Sequence, residues 1–213
     1  MRRKGRIAVL TSGGFDSNIL LSELLKQYQV VYPIYIRCGF VWEKAELYWL
    51  RRYLTAIKHQ RLRALTLLES PVTDLNKKHW SLTGRGTPNY DSKDEEVELP
   101  GRNLLLLSKA AVFCALEKIP TIALGSLSGN PFPDATTSFF RKFEQVTQQA
   151  LPHTIKILTP FRSLKKHQLL NRAQGLPLQF SFSCLSPRGL DPCGQCNKCA
   201  ERDKVLKESS HTH

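Results

Sequence analysis

One junction near the start of the chain constrains the fold more than any other feature. A short apolar run, "RIAVL" at residues 6–10, enters the turn "TSGGFDS" at 11–17. "SNILLSELLKQ" follows at 17–27, with Ile19, Leu20, Leu24 and Leu25 at helical spacing. The apolar run is brief, branched and closed by glycines, which is the pattern of a buried strand. A strand passing straight into a helix opens a βαβ unit, and such a unit commits its strands to parallel pairing.

The rest of the chain alternates in the same way. "VVYPIYI" at 30–36 reads as a second strand, weakened by Pro33, which lacks a ladder donor. "WEKAELYWLRRYLTAI" at 42–57 sets Trp42, Ala45, Trp49, Tyr53 and Ile57 near one helical face. "RALTLLE" at 63–69 and "PTIALGS" at 120–126 read as strands, and "HTIKILTP" at 153–160 as a last one. "RNLLLLSKAAVFCALEK" at 102–118 has a broad apolar helical face. "TTSFFRKFEQVTQQAL" at 136–151 begins with threonine caps, and "SLKKHQLLNRAQG" at 163–175 ends at Gly175. The expectation is an α/β fold: a doubly wound, mostly parallel sheet with helices on both faces and right-handed crossovers.

Residues 83–101, "TGRGTPNYDSKDEEVELPG", interrupt the alternation. A loop of this length is usually functional or disordered, and the two readings are a lid over the site and a poorly ordered surface loop. A chain of 213 residues suits one domain with a small appendage. Its net charge of +13 draws phosphates, nucleotides, nucleic acid or acidic surfaces. No basic arm with interleaved aromatics is present, so nucleic-acid binding rests on charge alone. "MRRKGR" is followed only by "IAVL", too short for a secretory segment, and no run approaches the ~20 apolar residues of a membrane span. The reading is a cytoplasmic protein, where cysteines stay reduced.

In a doubly wound sheet, ligands bind beyond the carboxyl ends of the strands, and "TSGGFDS" falls there. Gly13 and Gly14 permit tight geometry and close approach to an anion, and the following helix start offers free N–H groups. Ser12 and Ser17 supply hydroxyls, and Asp16 caps the turn or helps hold magnesium. The candidate nucleotide-binding stretch runs from Leu10 and Thr11 through Ser12, Gly13, Gly14, Phe15, Asp16 and Ser17 to Asn18. The lysine of a P-loop is missing, and so is a G-x-G-x-x-G fingerprint.

Four of the six cysteines, Cys184, Cys193, Cys196 and Cys199, are spaced C-x8-C-x2-C-x2-C. Four thiolates suit one structural tetrahedral zinc ion. An iron–sulfur cluster also takes four thiolates, and disulfides are the remaining alternative. Lys198 and Arg202 would offset the charge of such a site. Cys38 and Cys114 read as small buried hydrophobes. His153, His211 and His213 read as solvent-facing. The expected organisation is an α/β body at 1–180, a cysteine segment at 181–208 packed on it, and a tail at 209–213.

"SGGFDS" resembles the S-G-G-x-D-S loop of the N-type ATP pyrophosphatases, which cleave ATP between its α- and β-phosphates. With the cysteine cluster, the chain resembles the 7-cyano-7-deazaguanine synthase family over almost its whole length. "LPGRNLLLLSKAA" is similar to that family's P-x-R-N helix start, and "GSLSGNPFPDATTSFF" to its Y-P-D-C-R segment. "PFRSLKKHQLL" is similar to its proline-to-lysine segment, with Lys166 at the lysine, and "FSCLSPRGLDPCGQCNKCAER" to its zinc end.

The resemblance implies an adenine nucleotide alpha hydrolase-like fold, ATP with magnesium, one structural zinc, a small carboxylate substrate with an ammonia source, and a homodimer. It implies that Ser12, Gly13, Gly14, Asp16 and Ser17 hold the departing phosphates and that Lys166 stabilises them. Arg102 opens a helix after a Pro–Gly turn, an unfavourable place for a cation unless an anion meets it. The catalytic candidates are therefore Asp16, Ser12, Lys166 and Arg102. Asn103 caps or contacts the base, Asp134 meets magnesium or substrate or caps the next helix, and His79 and Trp80 line the site or the core. The chain departs from the family at "IRCGFVWEKAE", at Ala135 and Thr136, and at Leu185. These positions surround the acid rather than the phosphates, so the ATP chemistry carries over better than the acid. A tRNA-modifying pyrophosphatase and a non-enzymatic nucleotide-binding module are the competing classes.

Overall fold

The computed structural model describes residues 3–75 and 77–210, without the side chains of 205–210. His211 and His213 lie outside the described residues. Five strands form one parallel sheet: β1 (Lys4–Leu10), β2 (Tyr28–Arg37), β3 (Thr66–Glu69), β4 (Thr121–Ala123) and β5 (Lys156–Leu158), in the order β3-β2-β1-β4-β5. The helices are α1 (Phe15–Gln27), α2 (Glu43–Ala56), α3 (Trp80–Thr83), α4 (Arg102–Leu116), α5 (Thr137–Ala150), α6 (Lys166–Leu170) and α7 (Asn197–Ser210). The doubly wound parallel sheet expected from the alternation is thus the architecture observed.

Strand side chains alternate between the two faces of the sheet. Ile7 and Val9 point to one face and pack with Ile19, Leu20 and Leu24 of α1. Tyr35, Leu47 and Leu50 join β2 to α2 in a smaller cluster. Ala8, Ile34, Ile36 and Ile122 point to the other face, against Leu107 and Ala111 of α4 and Phe140 of α5. Each fully buried Ile or Leu contributes roughly 1.5–3 kcal/mol by leaving water.

Pro33 does not break β2. The amide of Val31 donates to the Arg61 carbonyl on the β3 side, and the position two residues on faces the same way. β3 begins pairing only at Thr66, opposite Ile34. Pro33 therefore sits where the neighbouring strand has not yet started, and the missing donor leaves nothing unpaired. For the same reason the third strand is shorter than the run 63–69 anticipates.

Residues 83–101 do not hang free. The Asn197 amide donates to the Pro88 carbonyl at 3.2 Å, and its side-chain nitrogen to the Ser92 carbonyl at 2.6 Å. Tyr90 donates to Asp203 at 3.0 Å. Val97 is buried among Trp42, Phe182, Cys184, Leu185, Cys196 and Cys199. The segment is folded onto the cysteine-rich end of the chain, which in turn packs against the start of α2.

Candidate active site

The chain leaves β1 for α1 on one face and, after β4, reaches α5 on the other. β1 and β4 are neighbours, so a crevice opens between them at the carboxyl edge of the sheet. A cleft of about 230 Å³ lies there, bounded by Leu10, Thr11, Ser12, Asp16 and Ser17 from the glycine turn, by Ile34 and Tyr35 from β2, and by Arg102 and Asn103 from α4.

The turn is held open by its own bonds. Thr11 donates its amide to the Ile34 carbonyl at 2.8 Å and its hydroxyl to the same atom at 3.0 Å. The Ser12 amide donates to the Ser17 hydroxyl at 3.2 Å, and the two hydroxyl oxygens lie 3.3 Å apart. Gly13 has φ of 79°, in the left-handed region that favours glycine, and a Cβ there would reach the Glu46 carbonyl and Leu50 at 3.4 Å. Gly14 caps α1 without a side-chain acceptor. The result is a row of amides and two hydroxyls at the positive end of a helix of 13 residues, the chemistry of an anion cradle.

Phe15 and Asn18 do not reach the cleft. Phe15 is buried in the α1 core. Asn18 is fully buried, and its amide nitrogen donates to the Gly13 carbonyl at 3.0 Å and to Ser181 Oγ at 2.9 Å. The Phe182 amide reaches the same Gly13 carbonyl at 2.9 Å. Both residues support the turn from behind because helical geometry points them inward.

Lys166, at the start of α6, brings Nζ to 2.6 Å from Asp16 Oδ1 and 2.8 Å from Glu201 Oε1. Lys198 meets the other Glu201 oxygen at 2.8 Å. Burial would lower the Lys166 pKa, but the Asp16 and Glu201 carboxylates carry it above its ordinary value. Burial works against ionised Glu201 too, and Lys166 and Lys198 overcome it, holding that carboxyl at about 2.

Asp134 stands behind the wall rather than in the cleft. Its two oxygens accept from the Asn103 amide at 2.7 Å and the Asn103 side chain at 3.2 Å. It therefore caps α4 and orients Asn103, while Thr136 caps α5 by accepting from the Phe139 amide at 3.1 Å. Arg102 Nε is buried without a partner among the described residues, and its guanidinium lies 5.6 Å from the Phe40 ring centre. Phe40 and Arg102 also border a second, mainly apolar chamber of about 240 Å³ lined by His79, Leu82, Leu99 and Pro100. His79 thus faces a chamber, whereas Trp80 stacks on Trp42 at 5.7 Å.

Three features of the site escape a reading of the sequence. Gly125, just past β4, faces the turn so closely that a Cβ would lie 3.1 Å from the Asp16 carbonyl carbon. Glu43 and Glu46, in the first turn of α2, are buried and line the cleft. Glu43 accepts from the Cys38 amide and from the Gly39 amide at 3.0 Å. Glu46 accepts from the Tyr35 hydroxyl at 2.7 Å. Burial, assisted by Glu43, pushes the Glu46 carboxyl up to about 7 against the pull of Arg102 and Tyr35. The signal was present: Glu46 shares a helical face with Trp42 and Trp49, an odd position for an acid.

Cys184, Cys193, Cys196 and Cys199 converge with their sulfurs within 4.8 Å of one another. Individual separations include 3.5, 3.9 and 4.0 Å. Amides of Leu185 and Cys193 donate to Cys196 and Cys184 sulfurs, both at 3.3 Å, as amides do around thiolates. The four form a metal-binding type of cluster. Cys38 and Cys114 are buried in the sheet–helix core, as expected.

Residues 6–210 match the model of the queuosine biosynthesis protein QueC. The chain belongs to the QueC family. Two relatives of known family name are similar over nearly their full lengths. The chain is 29% identical to the 7-cyano-7-deazaguanine synthase of Sulfurihydrogenibium sp. (strain YO3AOP1), covering 98% of this chain and 97% of the relative. It is also 29% identical to 7-cyano-7-deazaguanine synthase 1 of Desulfitobacterium hafniense (strain Y51), covering 96% and 92%. Among solved structures, the U34-tRNA thiolase NcsA from Methanococcus maripaludis, described with its [4Fe-4S] cluster, aligns with a TM-score of 0.51. That likeness, at 12% identity over 99% of this chain and 67% of the other, is one of fold. Among the described residues, no helix is long and apolar enough to cross a membrane.

Proposed function

We propose that the protein is an ATP-dependent carbon–nitrogen ligase. It adenylates a carboxylate, 7-carboxy-7-deazaguanine or a related acid, and joins it to ammonia. The observation that carries this reading is the meeting of Lys166 with Asp16 beside the glycine turn. A cation 150 positions away in the chain is held against Asp16, which borders the cleft.

ATP fits the residues present. Gly125 leaves room beside Asp16 that a Cβ would fill, and Arg102 Nε waits without a partner. The Ser12 and Ser17 hydroxyls and the amides around Gly13 and Gly14 would bind the β- and γ-phosphates. A substrate carboxylate attacks the α-phosphorus, the bond to the β-phosphate breaks, and pyrophosphate leaves. Lys166 neutralises the departing charge, and Arg102 neutralises the acid before attack; both effects are electrostatic. Ammonia then attacks the acyl carbon and AMP leaves, giving the amide. A second adenylation with loss of AMP gives the nitrile. The cleft walls hold the reactants together and exclude water, which would hydrolyse the acyl-adenylate.

Magnesium, when bound, would shield the phosphate charges, and Asp16 would hold it through the oxygen that Lys166 leaves free. The four cysteines fit one zinc ion: tetrahedral bonds of about 2.3 Å set sulfurs about 3.8 Å apart. A four-iron cluster spreads its thiolates farther, because each binds a different iron. Zinc here would be structural, tying residues 181–208 to the α/β body at 1–180. We read the active form as a homodimer, from the family resemblance, and solution mass measurement tests it.

The substitutions in "RCGFVWE", at Ala135 and Thr136, and at Leu185 point to an acid related to, rather than identical with, the deazaguanine acid. The decisive experiment measures AMP release from ATP with candidate acids and ammonium, and identifies the product by mass spectrometry. No AMP with any acid would overturn the reading.

A second reading, adenylation of a tRNA base, draws support from one surface. Lys44, Arg51 and Arg52 border an open groove with Tyr48 and Phe180, a basic and aromatic lining suited to a nucleic-acid strand. Absence of salt-sensitive tRNA binding at low ionic strength would remove it.

A further inference from the structure

The ligase reading leaves two acids unexplained. Glu43 and Glu46 open into the cleft beside a cradle built for phosphates. The start of α2 backs onto the turn, since a Cβ on Gly13 would lie 3.4 Å from the Glu46 backbone carbonyl. Buried carboxylates next to a polyphosphate raise the energy of the complex unless a cation lies between them. Lys166 cannot fill that role, being committed to Asp16 and Glu201. Arg102 lies across the cleft but forms no ion pair with either acid among the described residues.

The two acids are not alike. Glu43 is locked, with one oxygen accepting from two backbone amides and the other 3.8 Å from Arg37 Nε. Glu46 has one oxygen held by the Tyr35 hydroxyl. Its other oxygen makes no hydrogen bond among the described residues, and the residue borders the cleft with 8% of its surface exposed. A carboxylate oxygen left free at a cleft wall can accept from a bound donor. The groups around it are Tyr35 of β2, Cys38 beyond its end, Glu43 on the same helix and Arg102 of α4.

We propose that Glu46 is the docking point and general base for the nitrogen nucleophile, binding ammonium and taking its proton. Ammonium presents four N–H donors and one positive charge, and it is small enough to sit between Glu46 and a bound acyl group. Its lone pair is masked until a proton leaves. In the step, Glu46 accepts that proton and becomes a neutral carboxylic acid. The freed nitrogen lone pair forms the C–N bond at the acyl carbon. The bond from that carbon to the AMP oxygen breaks, AMP departs with the electron pair, and a second proton passes from nitrogen to the departing phosphate or to water. Glu46 then returns its proton to solvent. A base works best when its affinity for protons matches neutral pH, and burial has already moved Glu46 to about 7.

The inference rests on the ligase reading, and the test separates the two. Wild-type protein and Glu46→Gln are assayed in three reactions: ATP–pyrophosphate exchange with the acid alone, amide formation with ammonium across pH 5–9, and hydroxamate formation with hydroxylamine. Hydroxylamine is already unprotonated at neutral pH and needs no base. Expected for Glu46→Gln are exchange within about twofold of wild type and an amide rate lowered about 100-fold or more. Hydroxamate formation stays near wild type, and the pH limb near neutrality disappears. An equal loss with both nucleophiles, or no loss with ammonium, overturns the inference while leaving the ligase reading intact. So does recovery of Glu46→Gln by excess magnesium, which would make the acid pair a metal site. Absence of exchange in the wild-type protein overturns the ligase reading and this inference with it.

Discussion

Asp16 and Lys166 meet at 2.6 Å although 150 positions separate them in the chain. Each is partly screened from water, and the Glu201 carboxylate meets the same Lys166 nitrogen at 2.8 Å. The pair sets the Lys166 ammonium beside the glycine turn, and in the proposed reaction that ammonium neutralises the departing phosphates.

Lys166→Met is therefore expected to lower AMP formation by roughly 10²–10³-fold while leaving the thermal midpoint within a few degrees. Asp16→Ala lowers it as far. Steady-state AMP release and thermal melting check both. A fall in melting temperature that tracks the fall in rate would assign the pair a structural task instead.

Gly125→Ala introduces a methyl group at 3.1 Å from the Asp16 backbone, where neither partner is a flexible side-chain end. Overpacking of that kind costs about 1–3 kcal/mol. The expectation is a protein that folds less stably and loses nucleotide-dependent activity more than tenfold, because the turn itself must shift. Chemical denaturation and ATP binding by calorimetry provide the readouts.

One zinc per chain is expected by elemental analysis, and none in Cys196→Ser. Removing it by chelation should expose residues 83–101 to proteases, because Asn197, two residues before Cys199, bonds Pro88 and Ser92. Unchanged cleavage after metal loss would show that these bonds hold without it.

Glu46 gives stability a pH dependence of definite sign. Its carboxyl is raised from 4.5 to about 7 in the folded protein, so between those values the native state binds the extra proton. Stability accordingly declines as pH rises through that window, by up to about 3 kcal/mol from this group. Glu46→Gln should flatten that decline and melt higher than wild type at neutral pH. Melting curves from pH 4.5 to 8 in both proteins test it.

What the sequence displayed and what it hid divide along physical lines. The βαβ opening was legible because strand and helix periods are local, and "TSGGFDS" carries its chemistry in consecutive residues. The cysteines were legible because their spacing is nearly local too. Pro33 looked like a defect because a sequence does not say where the neighbouring strand begins. Asp134 read as a magnesium or substrate group or as a cap for the helix beside it, yet its partner Asn103 lies 31 positions upstream. Gly125 and Glu43 were missed because each acquires meaning from a group that only the fold brings near, whereas Glu46 showed itself only as an acid on an apolar helical face. Residues 83–101 read as a loop because their partners belong to the far end of the chain.

Asn18 clamps the Gly13 carbonyl and Ser181 together across 163 positions, with the Phe182 amide on the same carbonyl. Order of synthesis gives this a consequence. The turn leaves the ribosome long before Ser181 and Phe182 and waits through their synthesis for its fastening. Until then the nascent chain carries its anion cradle unset.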